Sequence, residues 1–453
     1  MFAPDCLRNK VEFYIFLKRI TWKINTTPEQ ERSNNLDRGM ANISIYVISI
    51  LSIAGVIIRP FKLPEATWAL LGALILLGVR LISPSEALTG ILKGTDVYLF
   101  LTGMMLLAET AREEKLFDWL AAYATLLAKG SANKLFLIIY IVGIVVTTFL
   151  SNDATAVVLT PAVAAAVRAA KVKNPLPYLL ICAFIANAAS FVLPISNPAN
   201  LVFYGKHMLP LAKWLPRFLL PSVVAIAVTY ILLRFSQRHA LQESIALDIP
   251  VPALSRGAKL AMFGITITAV VLLICSTLDI QLGLPTAITG CITSLTVILL
   301  ARKSPWIVIK DVSWSVLPLV AGLFIIVEAL SKTGIIQSLT NLVQESSLHS
   351  VSTAAWSSGL GIAFACNLMN NLPAGLVAAY AVQSSHIPEI VKSSILIGVD
   401  LGPNLSITGS LATILWVVAL RREGQNVSAL TFLKIGFWIM LIALIFALGA
   451  LWL

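Results

Sequence analysis

The chain contains 453 residues, of which 58% are apolar and only 12% are charged. A soluble domain is closer to half apolar and a quarter charged, and a mean hydropathy of +0.88 is too high for soluble cores. The composition therefore excludes a soluble protein and predicts an all-α polytopic membrane protein. The formal net charge of +11 does not indicate nucleic-acid binding, because basic residues concentrate in the loops of membrane proteins for topological reasons.

The first 40 residues form a basic, weakly amphipathic N-terminal tail. No long apolar segment with a small-residue cleavage site follows its charges, so the tail does not predict a signal peptide. Met40 begins a segment, MANISIYVISI, that is typical of the start of a membrane protein. A native role for the tail and an upstream extension with little role in transport both stay open.

The apolar segments of residues 41–235 recur in the same order in residues 258–453. TGMMLLAET aligns with AGLFIIVEA, LSNDATAVV aligns with LMNNLPAGL, and FVLPISNPANLV aligns with PNLSITGSLATI. Because these matches keep their order and a nearly constant offset, the sequence predicts two repeats. A polar connector at 236–257 joins them.

In each repeat the sequence predicts three uninterrupted helices, a hairpin whose polar tip lies inside the membrane, one broken helix and one closing helix. The hairpins are predicted at 134–170, with its tip at Ser151–Thr155, and at 350–383, with its tip near Asn367–Pro373. A complete crossing needs about 20 residues, and the hairpins do not cross. Each repeat therefore crosses five times, so the repeats must be inverted and both termini lie on one side.

Basic residues are divided unequally between the two sides of this topology. One side holds most of them, including Arg302–Lys303 and Arg421–Arg422, whereas the other side has few outside the tail. Because loops rich in Lys and Arg stay in the cytoplasm, the side with the 236–257 connector is predicted to be cytoplasmic. The basic tail opposes this assignment, but the bias of the short loops is larger.

Four segments place Asn, Ser or Thr beside Pro or Gly within apolar runs. They are LSNDATAVVLTP, LPISNPANLV, CNLMNNLPAG and DLGPNLSITGSLAT. Interrupted backbone survives in a membrane only against protein or a wet cavity, and in secondary transporters broken helices form the substrate and ion sites. The alternative, four ordinary surface turns, is disfavoured because the first segment has no basic residue between Lys134 and Arg168.

Carboxylates inside apolar segments are costly and usually functional. Asp153 lies at the first tip, and Asp400 lies just before Gly402-Pro403, where the second broken helix unwinds. We predict that these two carboxylates take up a proton or coordinate a cation. Glu109 and Glu328, at the ends of equivalent helices beside basic residues, are more simply explained as interfacial ion pairs.

The residue types of the four segments also limit the chemical classes to which the substrate can belong. They contain no Lys or Arg, so a dianion would lack a counter-charge, whereas a neutral, hydroxyl-bearing solute fits amide and hydroxyl groups. No phosphate-binding GxxxxGK[ST] motif is present, so the energy must come from an ion or voltage gradient or a separate subunit. Cys182 and Cys366 are interpreted as packing residues. No metal site, cofactor or enzymatic activity is predicted.

The sequence resembles the bacterial arsenite efflux permeases of the ion transporter superfamily. The resemblance rests on FLSNDATAVVLTP, IANAASFVLPISNPANLV, MNNLPAG and GVDLGPNLSITGSLATILW, and it covers residues 43–453. It implies substrate contacts from the tips and the broken helices of both halves. These residues are Asn152, Thr155, Ser196, Asn197, Asn200, Asn370, Asn371, Asn404, Thr408 and Ser410, with Asp153 and Asp400 for coupling. Pro198 is an addition to the family pattern and leaves the first unwinding point open.

The resulting hypothesis is an inner-membrane exporter of arsenite and antimonite as neutral trihydroxides. Proton motive force is the expected driver, and an ATPase partner is the alternative that the resemblance leaves open. One rival function is a sodium/proton antiporter on the same scaffold. Another, from a different class, is a passive channel for small neutral solutes.

A reporter that is active only in the cytoplasm tests the predicted topology. Fused within residues 236–257 the reporter is expected to be active, and fused after Leu453 it is expected to be inactive, because the basic loops hold the connector side in the cytoplasm. An active fusion after Leu453 would contradict the assignment.

Overall fold

The computed structural model describes residues 28–205, 208–243, 245–246, 253–383 and 387–453. Within these residues all regular secondary structure is helical. The first half contains α1 (Pro28–Ile58), α2 (Glu65–Gly78), α3 (Pro84–Lys93), α4 (Thr95–Glu113), α5 (Leu116–Leu127), α6 (Ala132–Phe149), α7 (152–169), α8 (Leu176–Ala188), α9 (Pro198–Tyr204) and α10 (Leu211–Ser236). Helix α7 includes a π-helical turn at Thr155–Leu159.

The second half repeats this order of elements. It contains α11 (Arg256–Thr277), α12 (Gly283–Ala301), α13 (Pro305–Asp311), α14 (Val316–Ser331), α15 (Ile335–His349), α16 (Val351–Met369), α17 (Asn371–Gln383), α18 (Glu389–Leu401), α19 (Leu411–Arg422) and α20 (Ala429–Ala450). Short 3₁₀ turns at Pro194–Ser196 and Gly402–Leu405 lie between α8 and α9 and between α18 and α19.

Contacts between the halves are reciprocal. Helix α2 packs on α14 while α12 packs on α4, α7 packs on α19 while α9 packs on α17, and α10 packs on its counterpart α20. A two-fold relation between the halves would produce this pattern. The opposite orientation of the halves in the membrane, and the domain bounds at 41–235 and 258–453, stay predictions.

Several short helices were not expected from the apolar pattern. Helices α5 and α15 precede the two predicted hairpins, and α3 and α13 precede the third helix of each half. The sequence of α15, IIQSLTNLVQESSLH, is rich in polar residues, which conceals such a helix from a search for apolar runs. At the N-terminus, α1 begins at Pro28, inside the predicted tail, and residues 1–27 lie outside the described residues.

Helix length bears directly on how many times the chain crosses the membrane. Seven helices of the described residues are long and apolar enough to cross, and α3 with α4, bent by 49°, would be an eighth span. Helices α8 and α18 have 13 residues each, too few to cross alone. One of the seven long helices is α6, which belongs to a predicted hairpin that does not cross. Ten crossings therefore require that α2, with 14 residues, crosses and that each broken helix crosses as a pair, which stays a prediction.

Both predicted tips coincide with helix breaks. After α6 the backbone leaves the helical conformation, and the Ser151 hydroxyl accepts a hydrogen bond from Ala154 N at 3.2 Å to begin α7. Between α16 and α17, Asn370 adopts φ +73° and ψ 151°, a conformation largely confined to glycine, and its Oδ1 accepts from the backbone N of Leu372 at 3.3 Å. Each break thus has a local side-chain or backbone cause in the sequence.

Ion pairs join loops that the topology assigns to the same side. On the connector side these are Arg112–Asp311, Lys303–Glu114 and Arg168–Glu423, and on the opposite side Lys93–Glu328, Lys332–Glu86 and Arg217–Glu389. Arg112 also pairs with Glu109, so the expected ion pairs of Glu109 and Glu328 are both present. Glu328 contacts Lys93 from the other half rather than Lys332. The grouping of loops into two sides agrees with the structure.

Candidate functional site

The two broken helices meet where their backbones unwind. Asn197, just before α9, donates from Nδ2 to Oδ1 of Asp400 in α18, with an N···O distance of 2.5 Å. Both side chains are buried, Asp400 completely. The side chain of Ser190 also faces the Asp400 carboxylate, but its hydroxyl donates to the backbone carbonyl of Asn187 at 2.8 Å. A carboxylate in the middle of the chain's apolar core is thus held by an amide from the opposite half.

Four polar side chains, which we call the ring, join the same two broken helices: Asn187, Ser410 and Thr413 hydrogen-bond to one another, and Asn404 bonds to Asn187. Asn187 Nδ2 in α8 lies 3.0 Å from Asn404 Oδ1 and 3.3 Å from Thr413 Oγ1, and Ser410 Oγ donates to Asn187 Oδ1 at 3.2 Å. Ser410 also caps the first turn of α19 by accepting from the backbone N of Thr413 at 3.1 Å. The ring is buried at 0–1% exposure, so its hydrogen bonds have no competition from water.

The first tip contacts the first broken helix. Ser196 Oγ donates to the carbonyl oxygen of Thr148 at 3.0 Å, at the end of α6. Across the break, the hydroxyls of Thr147 and Thr155 are 2.8 Å apart. Asn152 is turned inward, and its Oδ1 accepts from the backbone N of Asp153 at 2.9 Å. Apart from Asp153, the predicted residues of this tip therefore hold backbone and neighbouring hydroxyls.

The second tip contacts the second broken helix in a similar way. The backbone N of Asn371 donates to Gly409 O at 2.8 Å, and Asn370 Nδ2 lies 3.5 Å from Thr408 O. Asn367, which the sequence did not single out, donates to Gly402 O at 2.9 Å and accepts from Ser406 Oγ at 2.7 Å. The hydrogen bonds thus continue from one tip through both broken helices to the other tip.

Asp153 lies apart from this chain of hydrogen bonds. It lines a cavity of about 60 Å³ that also exposes Ser151 of the tip, Glu109 of α4 and Asp311 at the end of α13. A water molecule needs roughly 10–15 Å³ of such volume, so the cavity has room for several. Asp311 is 42% exposed and belongs to the connector side. The cavity therefore leads from that side to the first tip.

Three buried polar atoms near the junction have no hydrogen-bond partner among the described residues: Asp400 Oδ2, Asn200 Oδ1 and Thr148 Oγ1. The amide nitrogen of Asn200 is engaged by the carbonyl of Ser190 at 2.9 Å, which leaves its oxygen open. Buried polar atoms normally have partners, and an unpartnered one costs about 1–3 kcal/mol. Two of these three are acceptors only, so the junction can receive a ligand that donates hydrogen bonds.

Sequence reasoning missed Asn187, Asn367 and Thr413. Each is a polar residue in an apolar helix near a break, and each lies in a quoted segment: Asn187 in IANAASFVLPISNPANLV, Asn367 in CNLMNNLPAG and Thr413 in DLGPNLSITGSLAT. Position along the helix, one turn from the unwound segment, was the available signal.

The cysteines and the charges agree with the composition of the four segments. Cys182 and Cys366 are fully buried and lie in different helices, and the Cys366 thiol faces the carbonyl of Val399 at 3.8 Å. No Lys or Arg occurs in residues 147–158, 187–204, 366–376 or 400–413. The junction consequently offers amides, hydroxyls and a carboxylate.

A family model described as CitMHS, citrate transporter, matches residues 53–420. The chain belongs to this family. It is 27% identical over 352 residues to the arsenical pump membrane protein of Yersinia enterocolitica, covering 75% of this chain and 82% of that protein. It is 25% identical over 418 residues to the arsenical pump membrane protein of Escherichia coli K12, covering 89% and 97%. The resemblance found in the sequence is confirmed, and the protein is a multi-pass membrane transporter.

A solved structure supports the fold. The crystal structure of the Alcanivorax borkumensis YdaH transporter superposes with a TM-score of 0.54 at 15% identity, covering 82% of this chain and 89% of that chain. The all-helical arrangement described above is therefore shared with a known transporter structure.

The Asn197–Asp400 pair predicts unequal effects of removing either partner. Asn197→Ala leaves a buried carboxylate without this donor, and a hydrogen bond to a charged group contributes about 1.5–3 kcal/mol. Asp400→Asn removes the charge and keeps an oxygen acceptor, so its cost is expected to be smaller. Thermal unfolding of the purified proteins should therefore give a lower Tm for Asn197→Ala than for Asp400→Asn. Adding Asp400→Asn to Asn197→Ala should raise the Tm again, and a further fall would contradict the pairing.

Proposed function

We propose that this protein is a secondary transporter that exports trivalent metalloid hydroxides, As(OH)₃ and Sb(OH)₃, across the inner membrane. The observation that carries the proposal is the junction itself: a buried site of amides, hydroxyls and one carboxylate, with open acceptors and no basic residue in its segments. The names of the relatives, arsenical pump membrane proteins, point to the same substrate class.

The family description raises citrate as a second substrate class. Citrate brings up to three negative charges into the site, and unpaired buried charges are strongly unfavourable without cationic partners. The open oxygens of Asp400 and Asn200 would repel its carboxylates. As(OH)₃ is neutral and has three O–H donors, so it matches these acceptors without a counter-charge. The chemistry of the site favours the trihydroxide.

The energy source is proposed to be the proton gradient. Asp400 lies at the junction and Asp153 lies in the cavity that leads from the connector side to the first tip. Asp153 can exchange protons with the connector side, and Asp400 lies at the proposed substrate site. Together these two carboxylates are suited to carry a proton during a transport cycle. Association with an arsenite-stimulated ATPase is the alternative source of energy.

Uptake into inverted membrane vesicles tests the substrate and the driving force together. With an imposed pH gradient, we expect arsenite to accumulate above its external concentration, and citrate not to accumulate. A passive channel would equilibrate arsenite without accumulating it. Citrate accumulation, or a sodium-dependent proton flux that ignores arsenite, would overturn the proposal in favour of a carboxylate carrier or an antiporter.

Asp153→Asn separates coupling from substrate binding, because Asn keeps the shape and one acceptor oxygen but loses the charge. We expect this variant to lose pH-driven accumulation and to retain slow downhill exchange of arsenite. The control is Asp96→Asn, since Asp96 caps Gly283 N at 2.8 Å outside the junction and Asn can still accept that bond. Accumulation by Asp153→Asn at the wild-type rate would assign coupling to Asp400, and loss of exchange would assign Asp153 to the substrate site.

A further inference from the structure

The polar groups at the junction fall into two sets that differ in their hydrogen bonding. In the ring formed by Asn187, Asn404, Ser410 and Thr413, every side-chain nitrogen and oxygen has a partner, including Asn404 Nδ2, which donates to Phe184 O at 3.2 Å. Asp400 and Asn200, by contrast, each keep one open oxygen. Every polar side-chain atom of the ring therefore has a hydrogen-bond partner, whereas Asp400 and Asn200 each have an oxygen without one.

We propose that Asn187 is a positioning residue for this site. It binds no substrate itself; it fixes the two broken helices at the separation at which Asn197 meets Asp400. Asn404 and Ser410, as members of the saturated ring, act with it rather than through direct substrate contact. Only the transport measurement below rests on the function proposed above.

The chain geometry connects the ring to Asp400 in the second half and to Asn200, three residues after Asn197, in the first half. Asn404 lies in the Gly402–Leu405 turn that directly follows α18, so the bond from Asn187 fixes the backbone one turn beyond Asp400. On the other side, the carbonyl of Asn187 accepts from Ser190 Oγ at 2.8 Å, and the carbonyl of Ser190 holds Asn200. The side chain of Asn187 is thus connected to Asp400 through Asn404. Its backbone carbonyl is connected to Asn200 through Ser190.

The turn that holds Asn404 is supported from behind. A Cβ atom at Gly436 of α20 would lie only 2.2 Å from the carbonyl oxygen of Asn404, so the closing helix contacts this turn backbone to backbone. The turn cannot move away from Asn187 in that direction. The hydrogen bond from the side-chain amide of Asn187 and the close approach of Gly436 therefore fix the turn from two sides.

Helices α8 and α19 share a second connection that provides a matched control. Trp416 Nε1 in α19 donates to Leu179 O in α8 at 2.9 Å, and Trp416 is fully buried. This bond ties the same two helices but lies away from the break. Trp416→Phe removes it and keeps an aromatic ring, so it reports what a general weakening of this helix pair does.

A double-mutant cycle on thermal unfolding tests the positioning role without any substrate. If Asn187 positions the pair, Asn187→Ala already weakens the Asn197–Asp400 contact, so adding Asn197→Ala should lower the Tm much less than it does in wild type. Asn197→Ala should lower the Tm by its full amount in Trp416→Phe, because distant sites are additive. Additive effects with Asn187→Ala, or the same non-additivity with Trp416→Phe, would overturn the proposal.

Arsenite transport gives a second measurement that a merely structural role would not change selectively. Asn187→Ala is expected to raise the apparent KM for arsenite about tenfold or more at unchanged membrane content, whereas Trp416→Phe is expected to leave the KM unchanged. If Asn187→Ala does not insert, Asn187→Asp replaces it in both measurements, since it keeps shape and the oxygen that Ser410 contacts but loses both amide donors. An unchanged KM in the inserted Asn187 variant would overturn the proposal. If wild type fails to transport arsenite, the proposed function fails, and the unfolding cycle still decides the role of Asn187.

Discussion

The structure depends on one constraint: a helix that breaks inside a membrane must find partners within the protein for its freed polar groups. Each half creates such groups twice, at the break of its tip and at the break of its broken helix. They are satisfied mainly by one another. Hydrogen bonds run from Thr148 through Ser196, Asn197 and Asp400 to the second broken helix, and from there to the second tip. The breaks therefore stabilise each other and cannot be considered separately.

The two halves repeat the same elements but contribute different chemistry. The first half brings the amides of Asn197 and Asn200 to the junction, whereas the second half brings the carboxylate of Asp400. The two ends of the molecule differ in the same sense. On the connector side Asp311 and Glu109 share Arg112 and line the cavity that reaches Asp153, whereas on the opposite side Glu328 pairs with Lys93 from the other half. The two halves therefore share the same elements but place different functional groups at the junction and at the two ends of the molecule.

Saturation of hydrogen bonds distinguishes groups that support the site from groups that can bind. Asn187 and Asn197 are both buried asparagines beside the same break, and both donate across the interface between the halves. The side chain of Asn187 belongs to the ring, in which every polar atom has a partner. Asn197 instead donates to Asp400, which keeps one carboxylate oxygen without a partner. Residue type and position in the sequence are nearly the same in the two cases, so only the partners separate their roles.

The sequence by itself determined the membrane class and the positions of the helix breaks at both tips and in both broken helices. These follow from local properties: long apolar runs need a bilayer, and Asn, Ser, Pro and Gly within such runs break a helix. It also supplied the absence of basic residues in the four segments, which restricts the substrate chemistry. Helix α15 was missed because a polar, amphipathic helix has no apolar run to reveal it.

Only the tertiary structure decided which polar residues meet. Asn187 contacts residues 217 and 226 positions away, and no local pattern specifies such pairs, because they depend on how α8 packs against α19. The same holds for the separation of Asp153, in its cavity, from Asp400, at the junction, which the sequence treated as equivalent coupling groups. Sequence fixes where a helix can break in the membrane, whereas packing between the halves decides which freed group remains open to a ligand.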